Sequence, residues 1–313
     1  MSRRVDISIV VPMYGSEDSI VELVDRIRTS VSSFSKDHFE IILVNDSSPD
    51  NVLSRVRSEL MSKDIILVDL MRNFGQGNAI LAGLEIASGE TVVTIDDDLQ
   101  FPPESIVDLV SELGENLDVV YGIPKKSRQR FHRTVGSRFI NLVYRSLFGR
   151  KHDRSSFMAI RRPIVDAITS HSGASHFPDG LILWYTEKVG TIIVDKSERE
   201  YGRSGWKIGA LIRTGLDMIT NYSRSPLLAS AWIGFSSAFF AAILGSVYVI
   251  MTLHEGRVVP GWASIFVSIS FFSAVQLFIL GMMGEYIARL QTNSNSKPKF
   301  LIREVVFGNE IEE

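Results

Sequence analysis

Short apolar runs alternate with longer amphipathic stretches along the first 125 residues. The runs are rich in Val and Ile, and the stretches have the spacing of helices. Continuous apolar strands of this kind are typical of a parallel sheet covered by helices on both faces. The pattern predicts strands at 7–11, 40–45, 65–70, 91–95 and 117–121, and helices at 17–31, 50–61, 77–88 and 103–113.

The residues that follow each predicted strand are the first place to search for chemistry. In a sheet of this class, ligands bind beyond the carboxyl ends of the strands. The segments concerned are 12–17, 45–50, 71–77, 96–100 and 122–126.

Two later segments, 227–253 and 262–284, contain no charged residue. A spanning helix needs roughly 20 apolar residues, and both segments are long enough. We therefore predict membrane spans at about 227–253 and 262–286. The alternative is a buried helical hairpin inside a soluble domain, which two adjacent charge-free segments of this length disfavour.

The segment before the first span has one apolar helical face. In 207–222 this face holds five aliphatic residues: Ile208, Leu211, Ile212, Leu216 and Ile219. Such a stripe is usual for a helix that packs on a core. Because this one directly precedes a span, we favour a helix that lies in the membrane interface.

Basic residues flank the two spans, whereas the short loop between them, 254–261, holds one arginine. The positive-inside rule then places both chain ends in the cytoplasm. The predicted organisation is a cytosolic domain (1–206), an interfacial helix (207–224), a two-helix membrane region (225–290) and a cytoplasmic tail (291–313).

Composition excludes several classes of site. The chain of 313 residues has no cysteine, so disulfide scaffolds, thiolate zinc sites and cysteine nucleophiles are excluded. The first apolar run is too short for a signal peptide and is interpreted as a strand. With 33 basic and 36 acidic residues, a net charge of −3 and no recognised motif, nucleic acid is not an expected partner.

Three adjacent carboxylates, Asp96, Asp97 and Asp98, directly follow the fourth predicted strand. They repel one another, and a hard divalent cation would relieve that repulsion. Oxygen ligands suit Mg²⁺ or Mn²⁺, which commonly bridge to substrate phosphates. The alternative is a solvated acidic turn.

A basic stretch follows the fifth predicted strand. Residues 121–154 contain ten Lys or Arg and one acidic residue. Such a run is often only a solvated face. Next to a metal site, however, it matches the needs of a diphosphate or a phosphate-bearing acceptor.

Several motifs in order resemble the inverting family-two glycosyltransferases, in particular the polyprenyl-phosphate branch that includes dolichyl-phosphate mannose synthase and the bactoprenol sugar transferases. They are 10–14 (VVPMY), 44–50 (VNDSSPD), 72–75 (RNFG), 96–104 (DDDLQFPPE), 199–206 (REYGRSGW) and 281–287 (GMMGEYI). The resemblance implies a GT-A-like (Rossmann-like) catalytic domain.

The resemblance also implies roles for individual residues. The nucleoside is expected at Pro12, Tyr14, Glu17 and Asp46, the metal at Asp96, Asp98 and Gln100, and further substrate contacts at Asp97, Lys125, Arg133, Arg199 and Ser204. Asp98 and Arg199 would neutralise the departing diphosphate. Asp179 is either an acid near the acceptor or a helix-cap residue. One departure is Ser156, which stands where the family commonly has an acidic residue.

The implied function is transfer of a sugar from a nucleotide-diphosphate sugar, with a UDP-sugar the first expectation, to polyprenyl (undecaprenyl) phosphate. The reaction would take place on the cytoplasmic leaflet of the inner membrane and serve cell-envelope glycans. The partners are the donor, the acceptor and the bilayer, and homo-oligomers through the spans stay open. The alternatives are a processive polysaccharide synthase and a non-enzymatic membrane adaptor.

Overall fold

The computed structural model describes residues 5–35, 38–125, 155–170, 178–195, 197, 225–255, 261–294 and 298–308. These residues belong to two compact units. The first unit contains the described residues up to 197 together with 298–308, and the second contains 225–255 and 261–294.

The first unit is built on one sheet of eight described strands. They are β1 (Ile7–Met13), β2 (Phe39–Asn45), β3 (Ile65–Leu70), β4 (Thr91–Thr94), β5 (Val119–Pro124), β6 (Met158–Arg161), β7 (Val189–Val194) and β8 (Ile302–Phe307). Their order across the sheet is β7-β5-β6-β4-β1-β2-β3-β8. The block β4-β1-β2-β3 is parallel, as is the β5–β7 pair, whereas β6 and β8 run antiparallel to their neighbours.

Helices cover both faces of this sheet. They are α1 (Ile20–Ser35), α2 (Val52–Arg55), which continues as a π-helical segment (Val56–Leu60), α3 (Gln76–Ile86), α4 (Ser105–Leu113), α5 (Arg162–Thr169) and α6 (Pro178–Tyr185). On β1, Ile9 and Val11 join the core shared with α1 and α4, whereas Val10 joins the core shared with α3 and α5. The predicted α/β class with two covered faces is confirmed.

Five elements of this unit were not predicted: β6, α5, α6, β7 and β8. Strand β6 has only four residues and lies antiparallel between β4 and β5. Strand β7 pairs only with β5 among the described strands, and its Ile193 is 72% exposed. Neither strand therefore has the long, fully buried apolar run that marks β1 to β3.

The segment predicted as a cytoplasmic tail (291–313) contains a strand that the hydrophobic pattern did not predict. Residues 302–307 form β8, which pairs antiparallel with β3 at one edge of the sheet. The segment carries Arg303 and Glu304, and each of its residues is either half-buried or exposed. This edge position explains why the hydrophobic pattern gave no strand signal.

The second unit consists of α7 (Ser225–Glu255) and α8 (Trp262–Ser294). Within them, Leu227–Val247 and Val267–Ala288 are long and apolar enough to cross a membrane, with 7% and 0% of their residues buried. The helices contact each other, with Ile279 close to Gly234. The exposed apolar surface disfavours the buried-hairpin alternative. The predicted interfacial helix at 207–222 lies outside the described residues.

Candidate active site

An open cleft lies at the carboxyl ends of β1, β2 and β4. Its cavity of about 240 Å³ is lined by Pro12, Met13, Tyr14, Asp46, Asn73, Gly75, Gln76, Asp96, Asp97 and Asp98. The structure thus brings together the predicted nucleoside residues Pro12, Tyr14 and Asp46 with the acidic triplet. Parallel strands end on the same edge, which explains how residues more than 80 positions apart meet here.

Asp46 follows β2 and is only 3% exposed. Its two carboxylate oxygens accept hydrogen bonds from the backbone N–H groups of Phe74 (2.7 Å) and Gly75 (2.8 Å). Burial raises the pKa of Asp46, and these two hydrogen bonds oppose the rise. The carboxylate therefore fixes the loop between β3 and α3 and also faces the cleft.

Gly75 allows that loop to reach Asp46. Its φ of +88° and ψ of 153° lie in a region that is essentially restricted to glycine. The residue immediately precedes α3. This helix packs so close to the sheet that a Cβ on Gly83 would clash with the Val10 side chain. The loop is thus held by α3 at one end and by Asp46 at its turn.

Glu17 connects two loops and is not among the residues that line the cleft. Its backbone N–H donates to the Asp50 carboxylate (2.9 Å), and its own carboxylate accepts from the N–H of Asn51 (3.1 Å). Arg55 adds a hydrogen bond to the Glu17 carbonyl (2.7 Å). These contacts tie the loop after β1 to the loop after β2, which is a structural role beside the predicted nucleoside contact.

Asp96 is held by two side chains. The Gln76 amide donates to one carboxylate oxygen at 2.6 Å, and the Ser156 hydroxyl donates to the other. Ser156 is itself fixed, because its carbonyl accepts from the hydroxyl of Thr94 on β4. The residue that departs from the family pattern is therefore in direct contact with the acidic triplet.

Asp97 links the triplet to the loop after β1. Its carboxylate accepts from the N–H of Tyr14 (2.9 Å), and its carbonyl accepts from the Ser19 hydroxyl (2.6 Å). Burial of the carboxylate raises the pKa of Asp97 to about 6, and the negative charges of Asp96 and Asp98 add to the rise. The hydrogen bond from the Tyr14 N–H acts in the opposite direction and lowers the pKa.

Asp98 presents its carboxylate at the end of a tight turn. One oxygen accepts from the N–H of Gln100 (3.1 Å), and the intervening Leu99 has a φ of +55°. A non-glycine residue in this region is uncommon and usually held by its surroundings. Leu99 is buried in the core, and that packing fixes the direction of the turn.

The oxygen donors of the triplet fit a hard divalent cation. Within the ranges that the structure describes, no three acidic or histidine side chains converge as a complete metal site. Mg²⁺ in such sites commonly keeps waters and binds substrate phosphates beside one or two carboxylates.

Comparison with known proteins identifies the family. Residues 8–169 match the model described as glycosyl transferase family 2. The chain belongs to glycosyltransferase family 2. The matched region runs from β1 to the end of α5 and contains every described residue that lines the cleft.

Two relatives match this glycosyltransferase over nearly its whole length. Undecaprenyl-phosphate 4-deoxy-4-formamido-L-arabinose transferase of Enterobacter sp. (strain 638) is 33% identical and covers 96% of this chain and 93% of its own. An uncharacterised glycosyltransferase of Synechocystis sp. is 32% identical, with 96% of both chains covered. These relatives confirm the predicted family, and the first supports the predicted polyprenyl-phosphate branch.

A solved structure shows the same fold. Glucosyl-3-phosphoglycerate synthase from Mycobacterium tuberculosis, in complex with Mn²⁺, UDP-glucose and phosphoglyceric acid, aligns with a TM-score of 0.52 at 22% identity. The alignment covers 69% of this chain and 79% of that one. At this identity the likeness concerns the fold alone, and it confirms the GT-A-like sheet of the glycosyltransferase.

Several predicted site residues of the glycosyltransferase are not brought to the cleft in the described part. Lys125 lies just beyond the end of β5, and Gln100 contributes backbone hydrogen bonds. Asp179 lies in the first turn of α6, where a helix favours an acidic residue. Arg133, Arg199 and Ser204 lie outside the described residues, as does most of the basic stretch.

Three contacts of the glycosyltransferase site were not predicted: those of Asn73, Gln76 and Ser19. Asn73 and Gln76 lie in the segment 71–77 after β3, where ligand contacts were expected because it follows a strand end. Ser19 precedes α1, and its contact with the triplet spans 78 positions of sequence. No local pattern distinguishes such a serine from an ordinary polar residue at the start of a helix.

Proposed function

We propose that this family 2 glycosyltransferase moves a sugar from a nucleotide-diphosphate sugar, first of all a UDP-sugar, to a polyprenyl phosphate. The supporting observation is the ordered acidic triplet at the cleft, in a chain that also carries two exposed apolar helices. The Enterobacter relative, whose name specifies undecaprenyl phosphate, aligns across both regions. A lipid-linked acceptor explains why one chain carries both a catalytic cleft and apolar helices.

In the proposed reaction, a phosphate oxygen of the acceptor attacks the anomeric carbon, and the bond from that carbon to the donor diphosphate breaks with inversion. A phosphate monoester has a second pKa of about 6, so the acceptor is largely ionised at neutral pH. A strong general base is therefore less necessary than for a hydroxyl acceptor. The main task of the protein is to stabilise the departing diphosphate.

The triplet divides this task among its members. Asp98, with Asp96 and Gln100 beside it, would hold Mg²⁺ or Mn²⁺, which supplies Lewis-acid stabilisation of the diphosphate when bound. Asp96 is oriented by Gln76 and Ser156, and Asp97 holds the Tyr14 backbone. Tyr14, Pro12 and Asp46, which line the same cleft, would then bind the nucleoside.

The remaining predicted residues complete the proposal from sequence. Arg199, with Arg133 and Lys125, would contact phosphates, and Ser204 belongs to the same sequence motif as Arg199. An arginine can contact two phosphate oxygens at once through its planar fork. Asp179 keeps both interpretations, as an acid near the acceptor or as a helix-terminal residue.

The two long helices would anchor the enzyme at the cytoplasmic leaflet of the inner membrane. The isoprenoid tail of the acceptor could then stay in lipid while its phosphate reaches the cleft. The basic flanks of the two spans support a topology with both chain ends in the cytoplasm. We expect a reporter after Glu313 to register as cytoplasmic and one inserted in 254–261 as external. Finding both reporters on one side would contradict this two-span topology.

The decisive experiment supplies the purified full-length protein with undecaprenyl phosphate, Mn²⁺ and a panel of nucleotide sugars. We expect release of the nucleoside diphosphate from one donor and formation of a lipid-linked monosaccharide. A parallel reaction without lipid phosphate measures donor hydrolysis. If none of the donors is consumed faster with the lipid than without it, the proposed acceptor is wrong.

The product also separates this proposal from a processive polysaccharide synthase. A polyprenyl-phosphate transferase adds one sugar per acceptor, whereas a synthase extends a chain. Mass analysis of the lipid product distinguishes the two. Intact alignment with the Enterobacter relative over 96% of this chain supports the single-sugar reaction.

A further inference from the structure

The C-terminal strand β8 lies beside β3, whose end leads into the loop that lines the cleft. The register pairs Asp69 with Glu304 and Leu70 with Ile302, so it shifts at Arg303. A shift of this kind leaves one residue unpaired and turns its side chain in a new direction. Arg303 is that residue.

Arg303 makes two contacts with the end of β3. Its Nη1 lies 3.3 Å from Oδ2 of Asp69, and its Nη2 donates to the Met71 carbonyl at 3.1 Å. The Asp69 side chain is 4% exposed, whereas that of Arg303 is 53% exposed. A half-exposed cation on the edge strand therefore compensates a carboxylate that is almost fully buried.

The other oxygen of Asp69 continues the network toward the cleft. It accepts from Nδ2 of Asn45 at 2.7 Å, and Oδ1 of Asn45 accepts from the N–H of Ser48 at 3.1 Å. The Ser48 hydroxyl accepts from the N–H of Gly15 at 2.7 Å. The turn between Asn45 and Ser48 contains Ser47 with a φ of +52°, so this network holds an uncommon backbone conformation.

We propose that Arg303 is a positioning residue for the donor site. Through Asp69 and Asn45 it would set the loop 45–48 that carries Asp46, and through Met71 it would set the start of the loop 71–75. The inference rests on the proposed function, because it assumes that these loops hold the nucleotide of the donor. It makes the last strand of the chain, which follows both membrane helices in sequence, a part of donor recognition.

The physical reason is the cost of leaving Asp69 with fewer partners. A buried carboxylate that loses its cation must take up a proton or rotate toward water. Either change weakens the hydrogen bond from Asn45, and the turn at Ser47 loses its support. Substitutions along such networks change coupling between sites by about 0.5–2 kcal/mol, which corresponds to roughly 2- to 30-fold in affinity.

The next residue, Glu304, provides a matched control. It forms an ion pair with Arg57 of the π-helical segment. The side chains of Glu304 and Arg57 are each 46% exposed. Glu304 stands opposite Asp69 in the register, but its ion pair anchors β8 to the π-helical segment instead of to the end of β3. If Arg303 only held the strand in place, loss of either ion pair would weaken donor binding equally. If Arg303 positions the cleft loops, only its loss should weaken donor binding.

The test uses the full-length protein with Arg303→Met, Arg303→Lys and Glu304→Gln. The first measurement is the Kd of UDP in the presence of Mn²⁺. If the donor active in the panel carries another nucleoside, its nucleoside diphosphate replaces UDP. The second measurement is KM and kcat for that donor. We expect Arg303→Met to raise Kd and KM roughly 3- to 30-fold while kcat changes less than about twofold. Arg303→Lys should recover part of the loss, and Glu304→Gln should match the wild type.

A second measurement keeps the test informative if Arg303→Met folds poorly. In an Asp69→Asn background the buried charge is gone, so the added effect of Arg303→Met on Kd should shrink to less than about twofold. Wild-type Kd and KM in Arg303→Met, or equal increases in Arg303→Met and Glu304→Gln, would overturn the inference alone. A wild-type protein that binds no nucleoside diphosphate would overturn the proposed function and this inference with it.

Discussion

The loop after β2 and the loop after β4 both place carboxylates at the same edge of the sheet, yet they use them differently. After β2, Asp46 accepts two backbone hydrogen bonds, and Asp50 accepts one from Glu17. After β4, Asp96 is held by side chains, and Asp98 accepts one backbone hydrogen bond within its own turn. The first loop uses its carboxylates mainly to hold main-chain N–H groups, whereas in the second only Asp97 holds a neighbouring loop, and all three carboxylates line the cleft.

Burial follows the same division. Asp46 is 3% exposed, whereas Asp96, Asp97 and Asp98 are only partly buried. Both oxygens of Asp46 are bonded to main-chain N–H groups of one loop, and the carboxylate can still contact a nucleoside through its remaining lone pairs. The hydrogen-bond partners of an acidic residue at a strand end therefore decide whether its carboxylate shapes the site or is available to a ligand.

The largest effect is expected for Asp98. Asp98→Asn keeps the shape of the side chain but removes its charge, and loss of one preorganised charge costs on the order of 10² to 10³ in rate. We expect kcat to fall by about this factor while the melting temperature stays close to that of the wild type. Steady-state turnover at saturating Mn²⁺ measures it, with Asp108→Asn on the exposed face of α4 as control. Wild-type turnover in Asp98→Asn would remove the metal assignment.

A smaller effect on rate but a larger one on folding is expected for Asp46. Asp46→Ala leaves the N–H groups of Phe74 and Gly75 without their acceptor, at a cost of roughly 2–3 kcal/mol in unfolding free energy. We also expect weaker donor binding, because the loop and the proposed nucleoside contact change together. Denaturant unfolding and a donor titration measure the two effects. An unfolding free energy of Asp46→Ala equal to that of the wild type would contradict the structural role assigned to Asp46.

Gly75→Ala tests the backbone side of the same loop. A Cβ at a φ of +88° is strained although the surrounding space is open, and the expected cost is about 1–2 kcal/mol. Gly114→Ala is the control, because Gly114 also has a positive φ but follows α4 away from the cleft. Both variants should lose stability, and only Gly75→Ala should raise KM for the donor. Equal KM values would separate the loop conformation from donor binding.

The smallest effect concerns pH and Asp97. Its folded-state pKa of about 6 lies above the ordinary value of 3.8, so the folded state binds the proton more tightly. Stability should therefore fall as pH rises from about 4 to 6, by about 1–2 kcal/mol after a discount for residual solvent exposure. Unfolding of the metal-free protein in EDTA at several pH values measures this slope, which Asp97→Asn should flatten. An unchanged slope in Asp97→Asn would assign the pH dependence to other groups.

The strands and helices predicted from the sequence are those whose own residues carry a clear buried pattern. Strands β1 to β3 are continuous apolar runs, and α1 and α4 have clear apolar faces, so each was recognisable from local pattern. Strands β6 and β8 are different, because β6 is very short and β8 is a partly exposed edge strand. Their existence depends on the neighbours they pair with, and those neighbours are distant in sequence.

The site divides in the same way. The acidic triplet was predictable because it follows a strand at the edge where ligands bind. The partners of Asp46 were not, because two backbone N–H groups bind it only when Gly75 takes its left-handed conformation. The contact of Arg303 with Asp69 joins residues 234 positions apart and depends on the register shift of β8.

Strand β8 also has a practical consequence for anyone who wants the catalytic unit without its apolar helices. Ending the chain before α7 would remove β8 as well and would leave β3 as an open edge of the sheet. Such an edge offers unpaired N–H and C=O groups to other molecules and favours aggregation. Excising the helices and rejoining the chain through a flexible linker ahead of residue 298 would keep the edge closed. Solubility should therefore depend on how the helices are removed as much as on their removal.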